Sequence, residues 1–264
     1  MLLKALASRF FLRACCFVLY FAAASASFNG YYNKWHFAEA GASGEDDRYH
    51  FEMMVDGTAY RPYVYRQLLP DTANWLDRVV PRSAKIWLSS HYGIGTEAQE
   101  GAIFDSLTVE SRDYFFRYLV VYVLTFLFSL LAVYAMYLVC EALDMPPPAA
   151  VLAPAIVILM IPYFESGGGF FYDYPELAFF ALAFWIALRF DWWWILPMAI
   201  LGTWNKESFL LFIPTLYPLL RRRSSRLGSW LAVAALCIAG GAVHYAIRIR
   251  FAHNPGGSME LHWR

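Results

Sequence analysis

Apolar residues in this chain come in long unbroken runs, with polar residues gathered between them. The longest run, YLVVYVLTFLFSLLAVYAMYLVC from Tyr118 to Cys140, carries no charge. About 20 mostly apolar residues in a helix cross a bilayer core, so this run predicts a membrane span rather than a buried soluble helix. A second run, Ala149 to Phe164, follows the break at Pro146, Pro147 and Pro148. A third covers Glu176 to Leu188. A fourth, Trp230 to Ile247, holds Gly240 and Gly241, a small-residue patch suited to close helix packing. Two shorter pieces, WWWILPMAILGTW and SFLLFIPTLYPLL, flank the polar triplet Asn205, Lys206 and Glu207. Each is about a dozen residues, short for a span. They read as two short tilted helices or as one re-entrant pair, and either option returns the chain to the side it left.

At the N-terminus, Lys4, Arg9 and Arg13 precede an apolar run from Ala14 to Phe28. Its AAASAS segment has the small residues of a signal-peptide cleavage site. The reading adopted is an uncleaved first helix over 9–28. In either case the chain after Phe28 lies outside the cytoplasm. Cytoplasmic loops carry excess Lys and Arg, so Lys4, Arg9, Arg13 and the cluster Arg221, Arg222, Arg223 and Arg226 belong inside. Counting crossings then places the long loop 29–113, the loop Glu165 to Pro175, the Asn205–Glu207 tip and the tail 248–264 outside. Arg248 and Arg250 fit that placement less well. The expected fold is an all-α integral membrane protein with about seven transmembrane or short membrane helices and a large helical first extracytoplasmic loop. It forms a single membrane domain over 1–264, with the bundle at 114–247.

Composition agrees. The 264 residues are 59% hydrophobic and only 16% charged, more apolar than an ordinary soluble domain. Lys plus Arg and Asp plus Glu number 21 each, which points away from a nucleic-acid partner. Cys15, Cys16, Cys140 and Cys237 all sit in apolar runs and read as small apolar fillers, not a disulfide framework.

The first loop is too long to be a mere connection. In RYHFEMMVDG, Phe51, Met54 and Val55 fall at helical spacing and Gly57 makes a C-terminal stop. NWLDRVV and AKIWLSS give similar half-apolar turns, and Trp75 and Trp87 suit the headgroup level. Glu45, Asp46 and Asp47 precede the first of these helices. Adjacent carboxylates repel one another, which raises their affinity for a proton, a metal ion or a positive group; a solvated acidic turn or helix cap explains them equally well. Arg61 and Arg66 lie among Tyr60, Tyr63 and Tyr65 and between Pro62 and Pro70. Guanidinium groups match phosphate with planar paired donors, so this stretch reads either as a rigid anion clamp or as internal partners for the acids.

The order of these elements resembles the GT-C glycosyltransferases, above all the branch of lipid A aminoarabinose transferases and protein O-mannosyltransferases. In the first loop the likeness runs from the acidic cluster through Arg48–Tyr49, Met53 or Met54 and Gly57 to a basic residue in a Tyr/Pro/Leu setting and Trp75–Leu76. FYDYPELAFFALAFWIAL resembles the family's Asp-x-Pro segment, and AILGTWNKESFLLFIPTLYPLL its lysine-bearing helix break. Together they cover most of Glu45 to Leu220.

The resemblance implies a sugar carried on a polyprenyl phosphate, an acceptor that is a glycan, lipid or protein, and a first-loop carboxylate as general base. Asp46 or Asp47 takes that role; an ungapped alignment places Glu45 and Asp46 there instead. Arg66 stands where the family has a loop lysine. Lys206 matches the lysine at the helix break, with Glu207 in place of a glycine. Asp173 matches the acid before Pro175 and would bind acceptor, a metal ion or an arginine. A divalent metal is compatible with the acids but not demanded by the family, so the cofactor stays open. The compartment implied is the plasma (inner) membrane if the source is bacterial, with the active face extracytoplasmic. Family members usually continue through further membrane helices, so the chain is expected to be a fragment or truncated member.

Two other classes compete: a transporter or flippase of lipid-linked sugars, and a non-catalytic membrane subunit of a cell-envelope glycan pathway. A transporter wants polar groups at mid-membrane, where the spans offer only His244, which reads as a packing or pore-lining residue. The sequence shows no zinc-type His/Cys spacing, Gly-x-Gly-x-x-Gly loop or Walker lysine, and SGGGF at Ser166 lacks the strand and helix that a phosphate loop needs. Among the other histidines only His50 lies close to the acids.

Overall fold

The computed structural model describes residues 2–38, 50–92, 114–164 and 169–257, with side chains of the first helix described from residue 14. Within the described residues the chain is helical, with no strand beyond an isolated bridge between Arg61 and Gly256. Eleven α-helices follow in order among those residues: α1 (Leu2–Trp35), α2 (Phe51–Asp56), α3 (Leu68–Val79), α4 (Arg82–Tyr92), α5 (Phe115–Ala142), α6 (Pro147–Phe164), α7 (Asp173–Arg189), α8 (Leu196–Asn205), α9 (Ser208–Phe212), α10 (Tyr217–Leu220) and α11 (Arg226–Arg250). Among the described residues, four stretches are long and apolar enough to cross a membrane: Ala14–Trp35, Phe115–Ala142, Pro147–Phe164 and Arg226–Arg250.

The outward faces explain why these helices need a bilayer. Val123, Leu127 and Leu131 recur every fourth residue on α5 and are exposed; Leu152 and Ile156 do the same on α6. Residues four apart share one helix face, so these are continuous apolar stripes. In water they would be a large unpaired hydrophobic surface; against lipid tails they are neutral. Inward faces are built from small residues, which let helices approach closely. Ala178, Ala183 and Ala187 on α7 and Ala132 and Ala135 on α5 are all buried. On α11, Gly240 is buried, and a methyl group there would meet Thr203 Oγ1 at 2.8 Å, whereas Gly241 faces open space.

Proline inside α6 removes backbone donors, and neighbouring helices restore the balance. Pro162 cannot donate to the carbonyl of Ile158, four residues earlier. Ser27 of α1 donates its hydroxyl to that carbonyl instead. Lys34 of α1 donates to the Pro162 carbonyl at 3.0 Å. Helix α1 therefore continues past Phe28 to Trp35, beyond the boundary expected from hydropathy, because its last two turns pack on α6 and the loop after it.

The two short apolar pieces form a hairpin. A 3-10 turn (Trp192–Ile195) leads into α8, and α9, a 3-10 turn (Ile213–Leu216) and α10 return. Its tip lies beside the start of α7, where Lys206 meets Asp173, and its base beside the end of α7, where Arg223 reaches the carbonyl of Leu188. The hairpin thus runs the whole length of α7, about 25 Å for 17 residues. With it, the membrane part holds seven helical segments among the described residues, as expected.

Helices α2, α3 and α4 form a layer over the end of the bundle that includes the hairpin tip. Phe51, Met54 and Val55 of α2 are buried as their spacing predicts, with the Phe51 ring 4.8 Å from that of Tyr118. Gly57 ends α2 in the left-handed conformation (φ 72°), and its N–H bonds the carbonyls of Met53 and Met54. A Cβ there would lie 2.9 Å from the Phe251 ring. Gly57→Ala is therefore expected to cost about 1–2 kcal/mol from backbone strain and displacement of Phe251. Thermal unfolding in detergent should show a drop of a few degrees; an unchanged midpoint would mean that the Phe251 contact does not form. Further ties hold the layer: Asp71 accepts a paired contact from Arg250 at 2.9 and 3.0 Å, and Asp56 accepts from Arg117 at 3.1 Å.

Candidate functional site

Where α7 begins, the hairpin turns and the first loop arrives, charged side chains converge. Asp173 and Glu176 are one turn apart at the start of α7, where a helix N-terminus favours negative charge. Asp173 Oδ2 accepts the Phe170 N–H at 2.8 Å and lies 2.5 Å from the Tyr31 hydroxyl at the end of α1. Asn205, Lys206 and Glu207 interrupt the hairpin helices; Lys206 is extended (φ −160°, ψ 137°). That break aims its ammonium at α7, 3.1 Å from Asp173 Oδ1 and 2.7 Å from Glu176 Oε2. Ser208 donates to the other oxygen of Glu176. Burial pushes the Lys206 pKa down, but the charges of Asp173 and Glu176 outweigh it, and the net shift is upward from 10.5. Lys206 is thus a locked cation.

Arg66 enters from the loop and is 5% exposed. Its guanidinium lies over the rings of Tyr172 (4.4 Å) and Tyr63 (5.1 Å) and donates to the Tyr172 hydroxyl. Its contact with Glu207 is looser, 3.6 Å to Oε1. Among the described residues, the second oxygen of Glu207 is buried without a hydrogen-bond partner, and so is Oδ1 of Asn205, whose amide NH₂ donates to the Tyr172 carbonyl at 2.8 Å. The first loop is pinned here by the Gln67 N–H, which bonds the Trp204 carbonyl at 3.2 Å.

Of the residues singled out from sequence, Arg66, Asp173, Lys206 and Glu207 come together. Arg61 does not join them. Its side chain donates to the Gly256 carbonyl at 2.7 Å and its backbone N–H to Pro255, so it fastens the segment after α11. The two arginines therefore do not make a joint clamp. Glu45, Asp46 and Asp47 lie outside the described residues. His244 is half-buried with its ring 6.0 Å from that of Tyr65, a packing position. Sequence reasoning missed Tyr31, Tyr172, Glu176 and Ser208 as members of the site. Glu176 carried a signal, since it sits three residues after Asp173 and shares its helix face. Tyr31 carried none, because it reaches Asp173 across 142 positions.

Two cations here face three carboxylates, a formal balance of minus one among the described residues. Among the described residues, Lys206 meets its two carboxylates at 3.1 and 2.7 Å, whereas the contact between Arg66 and Glu207 is longer, 3.6 Å. An incoming anion would exchange most readily with Glu207 on Arg66, and the spare oxygens of Glu207 and Asn205 would accept from hydroxyl or ammonium groups. No group of three or more His, Cys, Asp and Glu side chains is placed to hold a metal ion among the described residues. Comparison of this chain with protein-family models, with curated proteins and with solved structures finds no match.

Proposed function

We propose that this protein is a membrane glycosyltransferase of the GT-C type, moving a sugar from a polyprenyl-phosphate carrier to an acceptor at the extracytoplasmic face. The observation that carries the reading is Arg66: a buried guanidinium over the rings of Tyr63 and Tyr172 at the bundle end, with the Glu207 carboxylate 3.6 Å away. A phosphate that takes the place of Glu207 on Arg66 would find planar paired donors as its leaving charge develops. Lys206 keeps Asp173 in place instead of meeting the phosphate itself. A carboxylate from Glu45, Asp46 or Asp47 would serve as the base on the acceptor hydroxyl. Arg189 and Arg223 lie at the opposite end of the bundle, which supports an outward-facing site under the positive-inside rule.

The test is sugar transfer by the purified protein from a panel of polyprenyl-phosphate sugars, beside the double variant Asp46→Asn, Asp47→Asn. Transfer by the wild type is expected, with at least about a hundredfold loss in the double variant. A folded protein that transfers from no donor would reject the reading. One observation favours a second reading, a non-catalytic membrane subunit: Lys206 is already neutralised by two carboxylates. That reading predicts no turnover with any donor and copurification with a partner enzyme.

A further inference from the structure

Helix α3 buries one face, and both α3 and α4 carry exposed apolar side chains. On α3, Leu68, Leu69 and Ala73 are buried under the loop layer. Trp75 and Val79, one turn apart on another face, are each 60% exposed. On α4, Ile86 and Trp87 are 58% and 53% exposed. Two arginines border this ridge: Arg78, three residues after Trp75, and Arg82, four before Ile86, spacings that place each beside its apolar neighbour. Both are exposed, and neither makes a hydrogen bond or ion pair among the described residues. The nearby Lys85 is different, since it pairs with Asp77 at 2.9 Å. With that pair neutral, the ridge carries two positive charges with no acidic partner among the described residues.

Its height is fixed by α5. The Lys85 ammonium lies 5.7 Å from the ring of Phe116, the second residue of that membrane span, and Arg117 in the same turn reaches Asn74 of α3. The ridge therefore sits where a span leaves the bilayer. Exposed tryptophans are costly in water but favoured at the headgroup level, where the ring is dry and the N–H wet. Arginine beside them can lay its stem on apolar surface and present its charge to phosphates.

We infer that α3 and α4 form an interfacial platform that binds anionic phospholipid headgroups of the leaflet next to the site. Trp75, Val79, Ile86 and Trp87 dip to the acyl boundary, and Arg78 and Arg82 select negative lipid. Each arginine near an anionic surface favours binding by roughly fivefold. The inference does not depend on the catalytic reading.

The test uses the full chain in nanodiscs of phosphatidylcholine containing either brominated phosphatidylglycerol or brominated phosphatidylcholine, with bromines near the headgroup. Tryptophan quenching is compared between wild type and Trp75→Phe, Trp87→Phe, so that the difference isolates these two rings. The expected result is stronger quenching of this pair by phosphatidylglycerol, on the order of tenfold in relative affinity. In Arg78→Gln, Arg82→Gln the preference should fall to near one while quenching persists. Equal quenching by both lipids in the wild type would overturn the inference, and so would no quenching of the pair by either. If the phenylalanine variant fails to fold, a nitroxide at Ile86→Cys, with the native cysteines replaced by alanine, reports the same preference. A label that senses water equally in both bilayers overturns it.

Discussion

Lys206→Met is expected to lower the stability of the protein by about 2–3 kcal/mol, because it leaves two carboxylates facing each other at the start of α7 with no cation between them. The side chains of Asp173 and Glu176 are only 19% and 15% exposed, so water screens their repulsion poorly. For a chain of this size the melting temperature should fall by about 5–10 °C. The cost is set below that of a fully buried pair because all three groups keep some contact with solvent. Adding Asp173→Asn and Glu176→Gln to the methionine variant should recover part of the loss, since the stranded charges are then gone. The pH dependence follows from the upward shift at Lys206. A pKa raised by folding stabilises fully below the unfolded value and ceases to do so as pH rises through the folded one. The gap between wild type and variant should therefore be constant from about pH 7 to pH 10 and close only in stronger alkali. Melting curves across that range decide it: a gap that closes near neutrality would mean that another group carries the effect.

Arg66→Gln is expected to act on turnover more than on folding. If Arg66 receives the donor phosphate, its loss should reduce kcat/KM by about 10²- to 10³-fold, the usual cost of removing one preorganised donor from a developing anion. Stability should fall by only about 1–2 kcal/mol, from lost stacking on Tyr63 and Tyr172. Arg66→Lys keeps the charge but not the planar fork, and should restore a minor part of the rate. Glu207→Gln removes the competing carboxylate, so KM for the donor should drop several-fold with the melting temperature little changed. Steady-state kinetics on these three variants, with a donor identified from the panel, separate the roles. Full kcat/KM in Arg66→Gln would place the phosphate elsewhere, and a raised KM in Glu207→Gln would make Glu207 a substrate ligand instead of a competitor.

Much of the scaffold was legible in the chain. An uncharged run from Tyr118 to Cys140 has one physical solution in a bilayer, and the α5 helix spans it. The α2 helix and its end at Gly57 followed from apolar spacing plus a residue free to take positive φ. The interruption at Asn205–Glu207 was visible as three polar residues between apolar pieces. What could not be read was which partners these polar residues would find. Arg61 and Arg66 are five positions apart in one tyrosine- and proline-rich stretch, yet one turns to the segment after α11 and the other to α7 and the hairpin tip.

Local pattern thus determined most elements of this protein, its spans and its loop helices, although the end of α1 was set by packing on α6. Those features depend on hydropathy and backbone preference within a few residues, which any window of the sequence contains. Which partners the residues of the candidate site take was decided by tertiary structure. Tyr31 meets Asp173, Lys206 meets Glu176 and Arg66 meets Tyr172 across 142, 30 and 106 positions. Such pairings are fixed by which helices pack side by side, and apolar helices of similar length carry little in their own pattern to say which neighbour they will take.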